Sequence, residues 1–155
     1  MDNNLLKTEI AKVLQKTHAE KHKSQREWTA AFIEALNNLG KKEYSVYPNK
    51  ENSGWLLNLS WAREGNDWRI DFNGLQLACE IEWSRNIDDI LYDFQKLTVI
   101  DSDIRLMIFQ YNNDDEFNSI FTAIKKASNY TKPKGYKYLI AGSGNQSEKI
   151  KIFEI

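Results

Sequence analysis

Residues 68–85 read WRIDFNGLQLACEIEWSR, and side-chain parity along this stretch decides the fold. Successive side chains of a strand point to opposite faces. Leu75, Leu77, Cys79, Ile81 and Trp83 therefore make one unbroken apolar face, with Gln76, Ala78, Glu80 and Glu82 on the other. Upstream, Trp68, Ile70 and Phe72 alternate with Arg69 and Asp71 as far as Asn73-Gly74, a dipeptide suited to a tight hairpin turn. Earlier still, Trp55, Leu57, Leu59 and Trp61 alternate with Leu56, Asn58 and Ser60, and REGND reads as a turn. Together the three runs predict an antiparallel meander. Its register is firmly set, because a slip of one residue would turn the whole apolar face outward.

The flanks have a helical period. Leu6, Ile10, Val13, Leu14 and Thr17 make one stripe; Trp28, Phe32, Ala35, Leu36 and Leu39 make a second, stopped by Gly40. After the meander, Ile87, Ile90, Leu91, Phe94, Leu97 and Thr98 line a helix that opens with Asp88 and Asp89, where acids complement the dipole. Ile104 to Phe109 is almost wholly apolar, as a central strand buried on both faces requires. Asp114, Asp115 and Glu116 open a further helix with the stripe Phe117, Ile120, Phe121, Ile124 and Ala127, and Tyr136 to Ala141 and Ile150 to Ile155 close the chain as strands around GSGNQSE. The predicted fold is α/β (α+β), a mixed central sheet of about five to six strands flanked by helices in the order ααβββαβαββ. It is expected to form one domain over 1–155, with N-terminal helices at 1–40 and a core at 53–110.

Composition narrows the function classes. The chain has 155 residues, 41% of them hydrophobic and 12% aromatic, enough for a real core. Its 21 Lys and Arg against 22 Asp and Glu argue against general coating of a polyanion. A single cysteine, Cys79, excludes an internal disulfide framework and a cysteine zinc site. No apolar run approaches the roughly 20 residues of a membrane span, and MDNNLLKTEI lacks a basic-then-apolar leader. A soluble, cytoplasmic protein with no membrane partner is the expectation.

Glu80 and Glu82 lie two residues apart on one strand, so their Cβ atoms are only about 6–7 Å apart on a common face and their charges repel. Asp71 shares that face by parity. Three converging carboxylates suit a hard divalent cation, Mg²⁺ with Mn²⁺ as its substitute. The charge is regional as well: residues 61–120 hold 13 acids against 5 basic residues, while residues 1–26 are +3 and residues 121–155 are +5. The distance carries a condition. With a two-residue hairpin at Asn73-Gly74, Asp71 would stand roughly 13 Å from Glu80, and a shared ion requires a displaced or bulged connection through 73–78.

With Asp71 on the second strand and Glu80-Ile81-Glu82 on the third, the chain resembles the PD-(D/E)XK nuclease superfamily, the restriction-endonuclease-like fold, over about residues 27–110. Glu82 stands where the motif has Lys, a variant similar to the BamHI/BglII branch of type II restriction enzymes. YDFQKL is similar to the helix that follows the motif there. The resemblance implies Mg²⁺-dependent hydrolysis of a DNA phosphodiester. Asp71 and Glu80 and the Ile81 carbonyl would be metal ligands, and Glu82 would position the water. It also implies a supporting acid on the preceding helix, Glu27 or Glu34, and a homodimer acting on double-stranded DNA. Lys96 on the next helix is a candidate to take over the missing lysine's role. Arg69, Arg85 and the basic loop with Lys132, Lys134 and Lys137 are candidates for phosphate contacts.

The alternative is the same fold without activity, serving as a DNA- or protein-binding module, which the absent motif lysine and the near-neutral charge favour. Gly142-Ser143-Gly144-Asn145 lacks the Lys-Ser/Thr of a phosphate-binding loop and reads as a turn. His18 and His22, at i and i+4 in the polar stretch AEKHKSQR, have no evident third metal ligand and read as a solvated face.

Overall fold

A computed structural model describes residues 2–155 except 21, 51, 52, 54, 55, 66, 68–70, 131–134, 146 and 148. Its elements run α1 (Asn3–Ala19), α2 (Gln25–Gly40), β1 (Ser45–Tyr47), β2 (Leu59–Glu64), β3 (Phe72–Glu82), α3 (Ile87–Val99), β4 (Ser102–Tyr111), α4 (Asp114–Asn129), β5 (Tyr138–Gly144) and β6 (Lys151–Glu154). The order of helices and strands is the one expected, but the strands of the meander differ: β1 has no counterpart in the sequence reading, and the runs read at 55–61 and 75–83 correspond to β2 and β3. The strands form one mixed sheet in the order β1-β2-β3-β4-β5-β6. β3, β4 and β5 run parallel, and the outer pairs β1–β2, β2–β3 and β5–β6 are antiparallel. At this coarse level the architecture is that of a restriction-endonuclease-like core. No helix among the described residues is long and apolar enough to cross a membrane.

Two cores lie on the two faces of the sheet. Leu6, Ile10 and Leu14 of α1 and Phe32 and Leu36 of α2 pack on Leu77, Cys79 and Ile81 of β3, Trp83 just past it, and Ile104, Leu106 and Ile108 of β4. On the other face, Ile90, Phe94 and Leu97 of α3 and Phe117, Ile120 and Ile124 of α4 pack on Ala78, Met107, Phe109, Tyr138 and Ile140. Each such fully buried side chain contributes about 2 kcal/mol relative to exposure. Both helices of the second face begin on side-chain caps. Asn86 accepts from the Asp88 amide, and Asn113 and Glu116 form a reciprocal box in which Glu116 accepts from the Asn112 amide.

The meander departs from its sequence reading at Asn73-Gly74. No hairpin forms there; β3 runs straight through, and the connection from β2 lies earlier, where the Gly65 amide donates to the Asp71 carbonyl and Glu64 pairs with Phe72. Trp61 pairs with Leu77 but Ala62 with Leu75, and Glu64 with Phe72, so β3 carries an extra residue at two places. Gly74, at φ +86°, occupies the second bulge, in a backbone region that glycine tolerates and the turn dipeptide shares. The bulge at Gln76 also moves Leu75 off the face of Leu77 and into the α3 core. The strand expected at 68–72 therefore falls largely outside the described residues, and only Phe72 belongs to β3.

α2 ends where a side chain would not fit. A Cβ built on Gly40 would stand 2.5 Å from the Trp61 indole, which is fully buried. Gly40→Ala is expected to cost about 1–3 kcal/mol by overpacking, seen as a lower urea midpoint with an unchanged slope.

Candidate active site

Glu80 and Glu82 project from β3 toward α3, opposite in sense to Cys79, Ile81 and Trp83. Here β3 is the third of six strands and α3 lies over it, so the face predicted to be polar is covered. Glu80 is only 1% exposed. A carboxylate in that position needs a cation or a proton, and α3 supplies the cation. Lys96 Nζ stands 3.4 Å from Glu80 Oε1 and 2.6 Å from Asp93 Oδ1. At 3.4 Å the first contact is an ion pair without good hydrogen-bond geometry, and Glu80 Oε1 has no hydrogen-bond partner among the described residues.

The cluster is too acidic for one lysine. Burial raises the Glu80 pKa to about 7; Lys96 pulls it down, while Asp93 and Glu82 push it up. Glu82 is also raised, by burial first and then by the neighbouring Asp93 and Asp89; the Ser84 amide, donating to Glu82 Oε1, opposes this. For Lys96, burial lowers the pKa, but the hydrogen bond to Asp93 and the charges of Glu80 and Asp93 outweigh it and raise it. Ser84 Oγ donates to Asp89 Oδ2 at 2.6 Å, tying the strand end to the first turn of α3.

Lys96 is thus brought to the site, as the sequence suggested it could be. Asp93 was not anticipated. Its signal was the i,i+3 spacing to Lys96 inside YDFQKL, beside the buried Phe94, which places both polar groups along the edge of the helix's apolar stripe. Asp71 is not brought in. It is exposed in the β2–β3 connection against Gly65, nine residues before Glu80 along the same continuous run, or roughly 25–30 Å of extended chain. The expected trio of Asp71, Glu80 and Glu82 is replaced by Glu80, Glu82 and Asp93. Straightening the presumed hairpin into one strand is the physical reason. Ile81 lies beyond the last β2 pair, and its amide donates to Asn58 Oδ1.

The supporting acids lie elsewhere. Glu27 closes the capping box of α2, its amide donating to Ser24 Oγ and its carboxylate accepting from the Lys23 amide. Glu34 is exposed in the groove between α1 and α2, on the sheet face opposite Glu80. Arg85, exposed just past β3, pairs with Glu116 at 3.7 Å. Lys137 pairs with Glu154 at 3.0 Å just before β5, whose first residue registers with Arg105. Arg69, Lys132 and Lys134 lie outside the described residues.

Among the described residues, no three His, Cys, Asp or Glu side chains stand as a group that could hold a metal; the Lys96 ammonium bridges Glu80 and Asp93. The sequence and fold were compared with models of protein families, curated proteins and solved structures, and none matched.

The raised Glu80 pKa has a consequence for stability. Between pH 4.5 and about 7 the unfolded chain releases this proton while the folded chain keeps it, so stability falls as pH rises through that window. Glu80→Gln mimics the protonated form. It is expected to gain on the wild type from about pH 4.5 upward and level off above about pH 7, at on the order of 3 kcal/mol. Urea unfolding of both proteins at acid, neutral and mildly alkaline pH measures this; a difference independent of pH would contradict it.

Proposed function

We propose that the protein is a divalent-metal-dependent nucleic-acid phosphodiesterase, an endonuclease of restriction-enzyme type acting on DNA. The observation that carries this reading is the buried Glu80 carboxylate, with an oxygen lacking a hydrogen-bond partner among the described residues, set beside Glu82, Asp93 and Lys96 at the C-terminal end of a central strand. Oxygen donors with surplus negative charge suit Mg²⁺. Glu80, Glu82 and Asp93 do not stand as a three-ligand group in the structure, and would hold the ion only by closing on it as it displaces the Lys96 ammonium between Glu80 and Asp93. Bound there, the ion would polarise the phosphoryl oxygen and acidify a water.

The chain's own groups then divide the work. Lys96, arriving from α3 instead of from the motif strand, faces developing negative charge on the phosphoryl group. Glu82, its pKa raised by burial and by the neighbouring Asp93, would be the group that takes a proton from the attacking water. Arg85 stands at the strand end as a phosphate contact. Cutting both strands of a duplex would call for a two-fold dimer.

One observation favours the non-catalytic alternative. Lys96 already pairs with two of the three carboxylates, as it would in a purely structural ion-pair network. Cleavage decides between the two. Plasmid DNA is expected to be nicked or cut in Mg²⁺ or Mn²⁺, and not in EDTA or by Glu80→Ala. Lys96→Ala is expected to lower the rate about 100-fold, as loss of a charge-stabilising group does, while Asp71→Ala retains wild-type activity. Cleavage that survives both EDTA and Glu80→Ala would come from a contaminant. A folded wild-type protein inactive in every divalent metal would leave the binding module.

A further inference from the structure

On the sheet face opposite the carboxylates lies a cleft of about 940 Å³, lined by His18, His22, Trp28, Trp83, Asn145 and Ser147 among others. It opens at the C-terminal ends of β3 and β5, the edge of a parallel sheet where ligands usually bind. Its volume and mixed aromatic and polar lining suit a small planar ligand. The two histidines read from sequence as solvated helix positions are neither. α1 ends at Ala19, so His22 is off the helix, and His18 is buried. His18 Nε2 donates to the Ser147 carbonyl at 2.9 Å, which leaves Nδ1, in the singly protonated ring, to accept from Ser143 Oγ at 3.0 Å. That pair ties the end of α1 to the turn after β5.

The wall of the cleft is a run of rings. Trp28 meets His22 edge-on at 4.6 Å, His18 at 5.8 Å and Trp83 at 6.4 Å between centroids, and Trp83 Nε1 donates to Thr29 Oγ1 at 2.6 Å. One polar group there is left over. His22 Nε2 is buried without a hydrogen-bond partner among the described residues, 3.8 Å from Glu20 Oε2. Among the described residues the lining contains no Lys or Arg and has one carboxylate, Glu20. The cleft offers π faces and hydrogen-bonding edges. Glu82, the last residue of β3, and Trp83, just past it, are consecutive, one turned to the carboxylate cluster and the other to this cleft.

We propose that the cleft receives an unpaired nucleobase of the same nucleic acid whose backbone meets Glu80, Glu82, Asp93 and Lys96, stacked on the Trp28–Trp83 wall with its polar edge on His22. The inference rests on the nuclease reading and adds the substrate class: DNA with a base free of its stack near the cut, through a mismatch, a frayed end or extrusion.

Binding tests it separately from chemistry. In EDTA, fluorescence anisotropy compares a labelled single-stranded octamer with the same octamer made abasic throughout, against wild type, Trp28→Phe, Trp28→Ala and His22→Ala. The wild type is expected to prefer the base-bearing strand by roughly tenfold or more, as base–aromatic stacking provides. Trp28→Ala and His22→Ala should lose that preference without changing affinity for the abasic strand, and Trp28→Phe should keep most of it. Glu80→Ala, inactive under the nuclease reading, should bind with the wild-type preference. Equal affinity of the wild type for both strands, or an equal loss on both strands in Trp28→Ala, overturns the base pocket. Metal-dependent plasmid cleavage alongside either result would show that the nuclease reading stands while this one falls.

Discussion

Covering Glu80 with α3 takes water away from a carboxylate, and a carboxylate without water must hold a proton or face a cation. Much of the arrangement at the end of the central strand answers that need. Phe94 and Leu97 seat α3 on the sheet, and the same seating carries Asp93 and Lys96, on neighbouring positions of the helix, over the strand. Lys96 then neutralises part of the cluster. The remainder persists as a Glu80 pKa of about 7 and a Glu82 pKa raised by burial and by the neighbouring Asp93. A site purely for stability gains little from three acids around one base.

The strand that presents these acids is shaped by two extra residues near its start. The bulges at Gln76 and around Gly74 let β3 follow β2 while its later half runs parallel to β4. Beyond the bulges, strict alternation resumes from Leu77 to Trp83 between two cores. Polar side chains in a central strand are costly, so their presence on the α3 face, at the C-terminal end of the parallel strands, marks that end as the place where the fold departs from simple packing.

Both faces of that end are built. Toward α3 lie the acids and Lys96; toward α1 and α2 lie the aromatic wall and the buried His18, held by the turn after β5. Gly144 permits that turn, because a Cβ there would stand 2.7 Å from the Tyr111 ring and 2.9 Å from Ser147. The charged side and the aromatic side meet across a single peptide bond, Glu82–Trp83.

Local periodicity determined the element order, the apolar stripes of all four helices and the doubly buried β4, because burial of one face leaves a repeating trace that needs no knowledge of partners. It also singled out Glu80 and Glu82 and put them on one face, since parity within an unbroken run survives any tertiary arrangement. Three things it left open or misplaced. Asn73-Gly74 has the same composition in a hairpin and in a bulge, as both need a residue at positive φ, so only the pairing with β2 decided between them and removed Asp71 from the site. The burial of His18 depends on Ser143 and Ser147, more than a hundred residues away. Asp93 went unnoticed on its helix; the crossover from β3 through α3 to β4 laid it, with Lys96, on Glu80, and contacts set by how elements stack leave no periodic mark in the chain.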